Sequence, residues 1–201
     1  MKILREKEAE NFLEKEGFKV VKRKFLKKKS ELKHLIFPVV MKLSAKGVIH
    51  KARIGGVITN IKCLNDAEKA FDKLSLIKGF EGVLIQEMIK GEELILGLKH
   101  TPEFGMAIMV GAGGRKVEER KDVSFRVIPI NKKEAEHMIK EISFYKELKR
   151  KKINFNSLIK NILKLSNLGQ KYPSIAEFDI NPLMITRKEA VIVDARVIFN
   201  R

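Results

Sequence analysis

The chain has 201 residues, of which 44% are hydrophobic, and it carries a formal charge of +17 from 42 basic and 25 acidic residues. That apolar content suffices for one or two packed domains and excludes a disordered tail, and no apolar run approaches the roughly 20 residues that a membrane span requires. A single cysteine, Cys63, excludes an internal disulfide and a cysteine-built zinc site, so we expect a cytoplasmic protein. The positive charge suits nucleic acid and equally suits phosphates, so it does not decide the function.

Apolar periodicity predicts the secondary structure in chain order. The first part is predicted as a helix over 6–17, strands over 37–43 and 56–61, and a helix capped by Asn65 or Asp66 with Ala67, Ala70, Phe71 and Leu74 facing inward. The second part is predicted as strands over 82–88, 93–99, 106–110 and 123–128, a helix over 132–150, a helix that Pro173 ends, and strands over 175–180 and 190–197.

This order lacks the regular strand–helix alternation of a parallel doubly wound sheet. It favours an α+β fold with two lobes, and the glycines near residues 79–82 place the predicted boundary between 1–80 and 81–201.

The segment from Ser44 to Gly56 lies between two predicted strands and is rich in cations and glycine. Glycine lets backbone N–H groups approach an anion closely, and Lys51 and Arg53 add positive charge, which together suit a polyphosphate. It is not a Walker loop, because G-x-x-x-x-G-K-[ST] does not occur in it. A solvated basic hairpin is the equally weighted alternative.

Asn181 and Asp194 each follow an apolar predicted strand. If the two strands are neighbours, these oxygen ligands come together as a Mg²⁺ site that leaves room for phosphate oxygens. The alternative for Asn181 is a turn closed by its own side chain, whereas Asp194 would otherwise be a half-buried acid without a partner.

Five groups of residues, taken together and in order, carry a family resemblance. They are Pro38 to Lys42; His50-Lys51 with Gly55-Gly56-Val57; Val83 to Met88 with Gly91 and Glu93; Gly111, Gly113 and Gly114 with Asp122-Val123 and Phe125-Arg126; and Asp179 to Leu183 with Val193 to Arg196. In this pattern the chain resembles, from about Glu8 to Val197, the ATP-grasp β chain of the ADP-forming acyl-CoA synthetases. The resemblance implies an ATP-grasp fold with the nucleotide between two α+β lobes.

The resemblance also implies roles for individual residues. Lys42 would contact the ATP phosphates and Glu93 would lie near the ribose, while the backbone of Glu87-Met88 would hold the adenine edge. The loop residues implied to bind ATP are Ser44, Lys51, Arg53, Gly55 and Gly56. Asn181 and Asp194 would hold Mg²⁺, and His50 matches the family histidine proposed as a second phosphoryl carrier.

The activity that the resemblance implies is conversion of acyl-CoA, ADP and phosphate into acid, CoA and ATP. The cofactors would be ATP/ADP and Mg²⁺, and an α subunit with the CoA-binding and ligase domains would complete a hetero-oligomer such as α2β2.

Two pairs of residues depart from the family pattern, Ala52-Arg53 and His100-Thr101. The positive charge of the basic run 149–152 is interpreted as surface charge or as a contact with the partner chain. The alternatives carried forward are a nucleic-acid-binding module and a catalytically idle nucleotide-binding subunit.

Overall fold

The computed structural model describes residues 1–4, 6–48, 51–114 and 122–200. In chain order its elements are β1 (Lys2–Leu4), α1 (Glu6–Lys15), β2 (Arg23–Leu26), a 3₁₀ turn (Lys29–His34), β3 (Val39–Ala45), a second 3₁₀ turn (Ala52–Ile54), β4 (Val57–Ile61), α2 (Leu64–Ser75), β5 (Phe80–Glu87), β6 (Glu92–Thr101), β7 (Gly105–Ala112), β8 (Val123–Val127), α3 (Lys132–Glu141), α4 (Tyr145–Arg150), α5 (Phe155–Lys171), β9 (Ile175–Ile185), β10 (Ala190–Ile192) and β11 (Ala195–Phe199). Among these helices, none has the length and apolar character needed to cross a membrane.

The contacts divide the chain into two compact units. The larger one joins Met1–Val20 to Lys90–Arg201, and the smaller one is Val21–Ile89. The boundary after the smaller unit lies at residue 89 and not at the predicted residue 80, because β5 lies between β2 and β3 in the smaller sheet. The first 20 residues, which were predicted to belong to the smaller lobe, belong to the larger unit, since β1 pairs with β11.

The larger unit is built on a sheet whose described strands run in the order β1-β11-β9-β6-β7-β8, with β10 also paired to β9. Helices α1, α3 and α5 pack on this sheet. Phe178 of β9 marks the helix-covered face, because it is 1% exposed and its ring centroid lies 6.3 Å from that of Phe12 in α1. Successive strand residues point to opposite faces, so Glu177, Asp179 and Asn181 belong to the other face.

The smaller unit has the described strand order β2-β5-β3-β4. Its core contains the alternate residues Val39, Met41 and Leu43 of β3, packed with the predicted inward residues of α2, which are all buried. The predicted cap of α2 is wrong, since the helix begins after Cys63 without a side-chain cap. Strand β2 was not predicted, because its basic sequence Arg-Lys-Phe-Leu has only two apolar residues.

The predicted helix over 132–150 is two helices, α3 and α4. The cause is Asp122, whose carboxylate accepts hydrogen bonds from the backbone N–H groups of Ser143 (2.7 Å) and Phe144 (3.2 Å). These N–H groups then bond to a side chain instead of continuing the α-helical ladder, and Ile142 takes an extended ψ of 134°. Asp122 therefore joins the start of β8 to the elbow between the two helices.

Glu16 fixes the end of α1 to the end of α5. Its carboxylate accepts hydrogen bonds from Lys171 Nζ (2.7 and 3.0 Å) and from the Tyr172 hydroxyl (2.6 Å). The hydrogen bonds from Lys171, and then that from Tyr172, hold the pKa of Glu16 below its ordinary value.

We expect the stabilisation from Glu16 to vanish in acid. A carboxyl whose pKa is lowered by folding stabilises the fold above its unfolded pKa, and the effect is lost as the pH falls through the folded value. Glu16→Gln should therefore lower the free energy of unfolding at pH 7, with the difference from wild type shrinking below the ordinary pKa of about 4.5. Urea denaturation at pH 7 and pH 3 measures this, and an equal difference at both pH values would contradict it.

Candidate functional site

Asn181 and Asp194 lie side by side in the larger unit. Ala195 of β11 pairs with Ile180 of β9, so the next residues along, Asp194 and Asn181, face each other. The backbone N–H of Asn181 donates to the carbonyl oxygen of Asp194 at 3.1 Å, and that of Val193 donates to the Pro182 carbonyl at 3.2 Å. The predicted strand ended at Ile180, but β9 continues through a cis Asn181-Pro182 bond to Ile185. The two predicted ligands are therefore juxtaposed by strand register.

The donor chemistry of this pair fits Mg²⁺. One carboxylate and one amide oxygen are hard ligands, and Mg²⁺ is commonly held by one or two such groups together with substrate phosphates and water. Asn181 is exposed and Asp194 half-buried, which leaves the pair accessible to a phosphate-bearing molecule. Among residues 1–4, 6–48, 51–114 and 122–200, no group of three His, Cys, Asp or Glu side chains forms an all-protein metal cage.

Asp179 is a second acidic group beside this pair, and in the sequence it stands out only as part of the motif from Asp179 to Leu183. It lies two residues before Asn181 on the same face of β9, opposite Arg196 of β11. Burial raises its pKa, the charge of Arg196 lowers it, and the nearby Glu177 raises it further, with a net upward shift. Arg196 hydrogen-bonds to Glu177 Oε1 at 2.6 Å, so the strongest contact of the cation goes to the other acid.

Glu93 is held by the glycine turn that follows β7. The backbone N–H of Gly113 donates to the Glu93 carbonyl oxygen at 2.7 Å. A Cβ on Gly113 would lie 2.6 Å from the Glu93 carbonyl carbon, so glycine is required for this approach. The sequence alone does not connect Gly113 with Glu93, because the two residues are distant along the chain.

Lys42 and Ser44 lie on the face of β3 opposite the small-unit core. Val40, Lys42 and Ser44 alternate with the core residues of this strand, and Lys42 pairs with Leu84 of β5. Lys42 is only 6% exposed, so its ammonium group is desolvated, and it has interaction partners, as a buried charge requires. The strand thus presents a fixed cation on its non-core face.

The loop before β4 is a compact turn. Its N–H groups bond internally: Gly55 donates to Ala52 O (3.2 Å) and Gly56 to Lys51 O (2.8 Å). Gly55 has a φ of 70°, which explains the glycine there. These two N–H groups are therefore used within the turn, and binding of a polyphosphate by this loop stays a prediction. The cationic side chains of Lys51 and Arg53 remain the chemically suitable groups, while His50 lies outside the described residues.

Glu87 and Met88 line a cavity of about 440 Å³ within the smaller unit. Apolar Phe37 and Pro38 line it too, which suits the flat face of a purine. The N–H groups of Glu87 and Met88 are already used, since Glu87 donates to Lys22 O (3.0 Å) and Met88 to Pro38 O (3.3 Å). The expected backbone contact with adenine would therefore need other backbone groups than these.

The basic run 149–152 is partly structural. Lys151 forms ion pairs with Glu92 (2.7 Å) and Glu147 (2.8 Å). Its hydrogen bond to Glu147, and then its hydrogen bond to Glu92, raise the pKa of Lys151. Lys151 lies at the surface as expected, with 38% of its side chain exposed, and it also ties α4 to the start of β6.

Comparison with known proteins identifies the family. The model of the ATP-grasp domain matches residues 1–199. The chain is 37% identical to acetate–CoA ligase [ADP-forming] II of Archaeoglobus fulgidus, covering 98% of this chain and 30% of the relative. It is also 37% identical to the β subunit of acetate–CoA ligase [ADP-forming] II of Pyrococcus furiosus, covering 96% of this chain and 90% of that subunit. The chain thus spans under a third of the Archaeoglobus relative and most of the Pyrococcus subunit.

Solved structures agree with this. A protein from Ca. Korarchaeum cryptofilum, described as dinucleotide forming acetyl-coenzyme A synthetase 1 in complex with coenzyme A, Ca-AMPCP and HgCl+, superposes with a TM-score of 0.90 at 34% identity, covering 99% of this chain and 94% of that chain. The same Korarchaeum protein in complex with coenzyme A and Mg-AMPPCP has its phosphohistidine segment pointing towards the nucleotide binding site, and it superposes with a TM-score of 0.86 at 34% identity, covering 99% of this chain and 93% of that chain. The predicted α+β architecture is confirmed, and the chain belongs to the ATP-grasp family of the ADP-forming acetate–CoA ligases and their β subunits.

Proposed function

We propose that this chain is the nucleotide-binding subunit of an ADP-forming acyl-CoA synthetase of the acetate–CoA ligase type. The complete enzyme would convert acyl-CoA, ADP and phosphate into acid, CoA and ATP. The observation that carries the proposal is the juxtaposition of Asn181 and Asp194 by strand register in a chain of this family. Such a pair suits the Mg²⁺ of a bound nucleotide, because carboxylate and amide oxygens are hard ligands.

Each part of the nucleotide has residues suited to it. The cavity beside Glu87 and Met88 suits the purine, and the Glu93 carboxylate suits the ribose hydroxyls. Lys42 would neutralise phosphate charge, and Asn181 with Asp194 would hold Mg²⁺. When bound, Mg²⁺ would supply further neutralisation of the phosphate oxygens, which is the main contribution a protein makes to phosphoryl transfer.

The proposed chemical step passes a phosphoryl group from a partner's phosphohistidine to ADP. The N–P bond to the imidazole breaks, and the ring nitrogen keeps the electron pair. A β-phosphate oxygen of ADP forms the new O–P bond, which gives ATP. The Korarchaeum relative supports this step, because its phosphohistidine segment points towards the nucleotide binding site.

The partner would be an α subunit that contains the CoA-binding and ligase domains. Support comes from coverage, because the chain corresponds to 30% of the Archaeoglobus ligase and to 90% of a Pyrococcus protein that is named as a β subunit. We propose a hetero-oligomer such as α2β2, in which this chain contributes only the nucleotide half of the reaction.

The experiment combines this chain with the α chain that co-purifies with it. We expect the chain alone to bind ADP in calorimetry and to make no ATP from acetyl-CoA, ADP and phosphate. We expect ATP formation only when both chains are present. ATP formation by this chain alone, or no ADP binding at all, would contradict the proposal.

Radioactive ATP in the same mixture tests His50. If His50 is a second phosphoryl carrier, acid-labile and base-stable label should be found on this chain and should be lost in His50→Ala while ADP affinity stays close to normal. If His50 only binds phosphate, the chain takes up no label, and the variant binds ADP more weakly but keeps turnover at saturating ADP.

A further inference from the structure

We propose that the outer face of α5 is the surface on which an acidic segment of the partner α subunit docks. The inference rests on the proposed function, which supplies the partner, and adds the place where this chain holds it. The surface is a groove of about 430 Å³ along α5, beside the first turn of α3, which we call the α5 groove. Its lining includes Lys132, Lys160, Lys164, Ile159 and Leu163.

The α5 groove faces away from the large sheet. The inner side of α5 packs on that sheet, because a Cβ on Gly169 would lie 3.1 Å from Cδ1 of Leu98. Leu98 pairs with Phe178, which marks the helix-covered face. Lys160 and Lys164 are one helical turn apart on the outer side of α5. The groove is therefore separated from the open face of the sheet, where the proposed Mg²⁺ site lies.

The positive charge of the α5 groove is not balanced within the chain that the structure describes. Helix α5 contains no acidic residue. Within the described ranges, neither Lys160 nor Lys164 forms an ion pair, and Lys132 approaches Glu136 only to 3.9 Å. Burial, and then the charge of Lys160, lower the pKa of Lys164. A carboxylate beside the two lysines would offset this repulsion, so the groove is complementary to an acidic partner.

Lys164 is held in place before any partner binds. Its ammonium group donates a hydrogen bond to the Gly17 carbonyl oxygen and lies 5.3 Å from the centroid of the Phe18 ring. An ammonium group has further N–H donors, which remain for a carboxylate. A side chain that is already fixed loses less conformational entropy on binding than a mobile one. Lys164 is therefore suited to anchor a partner.

The shape of the α5 groove suits a segment of polypeptide. Small-molecule sites enclose most of their ligand, whereas this groove is open to solvent along the helix. Ile159 is buried and Leu163 half-buried, so the floor between the lysines is apolar. A segment that carries carboxylates and an apolar side chain would satisfy both the cations and this floor.

Docking in the α5 groove also meets a requirement of the proposed reaction. The partner's phosphohistidine has to reach the nucleotide, so the attachment of the two chains cannot cover the nucleotide site. A segment bound on the outer side of α5 holds the partner and leaves the open face of the sheet free.

The test measures association of the full-length chain with the α chain that co-purifies with it. Lys160→Glu alters a residue without a hydrogen bond or ion pair in the described ranges, so the fold should be undisturbed. Lys160→Glu/Lys164→Glu reverses both charges. The control is Lys69→Glu/Lys73→Glu, which reverses two exposed lysines of α2 with the same four-residue spacing. Calorimetry gives the dissociation constant for each variant.

We expect Lys160→Glu to weaken association about 10-fold and the double reversal to weaken it by roughly 100-fold or more, because like charges would then face each other. The control should keep the wild-type affinity, and wild-type association should weaken as salt is raised. The ADP affinity of every variant should equal that of wild type. ATP formation by the double reversal should recover when the α chain is in large excess.

Equal α-chain affinity in wild type and the double reversal would overturn the docking site and leave the proposed function standing. Loss of ADP affinity in the double reversal would also overturn it, because the lysines would then act on the fold. Self-association of wild type that the double reversal abolishes would assign the groove to a second copy and overturn the proposal. A wild type that binds the α chain but no ADP would overturn the proposed function alone.

Discussion

Asp194→Asn is expected to weaken binding of Mg-ADP by at least the 10- to 100-fold that even an outer-shell partner of a metal ligand typically contributes. Asparagine keeps the size of the side chain and removes its negative charge, so the strand pairing with Asn181 should persist while the attraction for the cation is lost. Binding of ADP in EDTA should change by less than about 3-fold, since the group that is lost interacts with nucleotide only through the metal.

Calorimetry with and without Mg²⁺ separates the two effects. Asp66→Asn is the control, because Asp66 is an exposed aspartate in α2 of the other unit and should leave both affinities unchanged. Equal losses of Mg-ADP and metal-free ADP affinity in Asp194→Asn would remove Asp194 from the metal site.

Lys42→Met is expected to lower ATP affinity by roughly 10- to 100-fold, the range that a hydrogen bond to a charged group contributes. Methionine fills the volume of the lysine stem, so the loss reports the ammonium charge rather than a cavity in a side chain that is only 6% exposed. Affinity for AMP, which lacks the β- and γ-phosphates, should change little. The ratio of the two dissociation constants is therefore the informative quantity.

Lys69→Met provides the matched control, since Lys69 is an exposed lysine of α2 in the same unit. Its affinities for ATP and AMP should equal those of wild type. If Lys42→Met weakens AMP and ATP equally, Lys42 acts on the shape of the unit and not on the phosphates.

Local pattern was sufficient to predict most of the fold. Strands β3 to β8 and helices α1, α2 and α5 follow from their periodicity, and the inward residues of α2 are buried as predicted. The sequence could not show the break between α3 and α4, because the apolar stripe continues through it. The break depends on Asp122, a residue from a different strand, whose carboxylate takes two backbone N–H groups.

The same limit applies to the site. The juxtaposition of Asn181 and Asp194 could be predicted because each follows a recognisable apolar run, and two such runs need only be neighbours to bring the residues together. The raised pKa of Asp179 and the confinement of Glu93 by glycines arise from contacts between separate strands. Such contacts leave no periodic trace in either strand, so only the folded arrangement shows them.

The larger unit is discontinuous in sequence, and this has a consequence for how the protein folds. Strand β1 pairs with β11, so Lys2 lies opposite Phe199, and the whole of the smaller unit is an insertion between the two parts of the larger one. Residues 21–89 have all their strands close together in sequence and can close their sheet while the ribosome is still making the rest. The opening 20 residues have no such option, because their partner strand β11 is synthesised more than 170 residues later, and long-range closure of this kind slows folding. The juxtaposition of Asn181 and Asp194, which depends on the pairing of β11 with β9, therefore forms later than the sheet of the smaller unit.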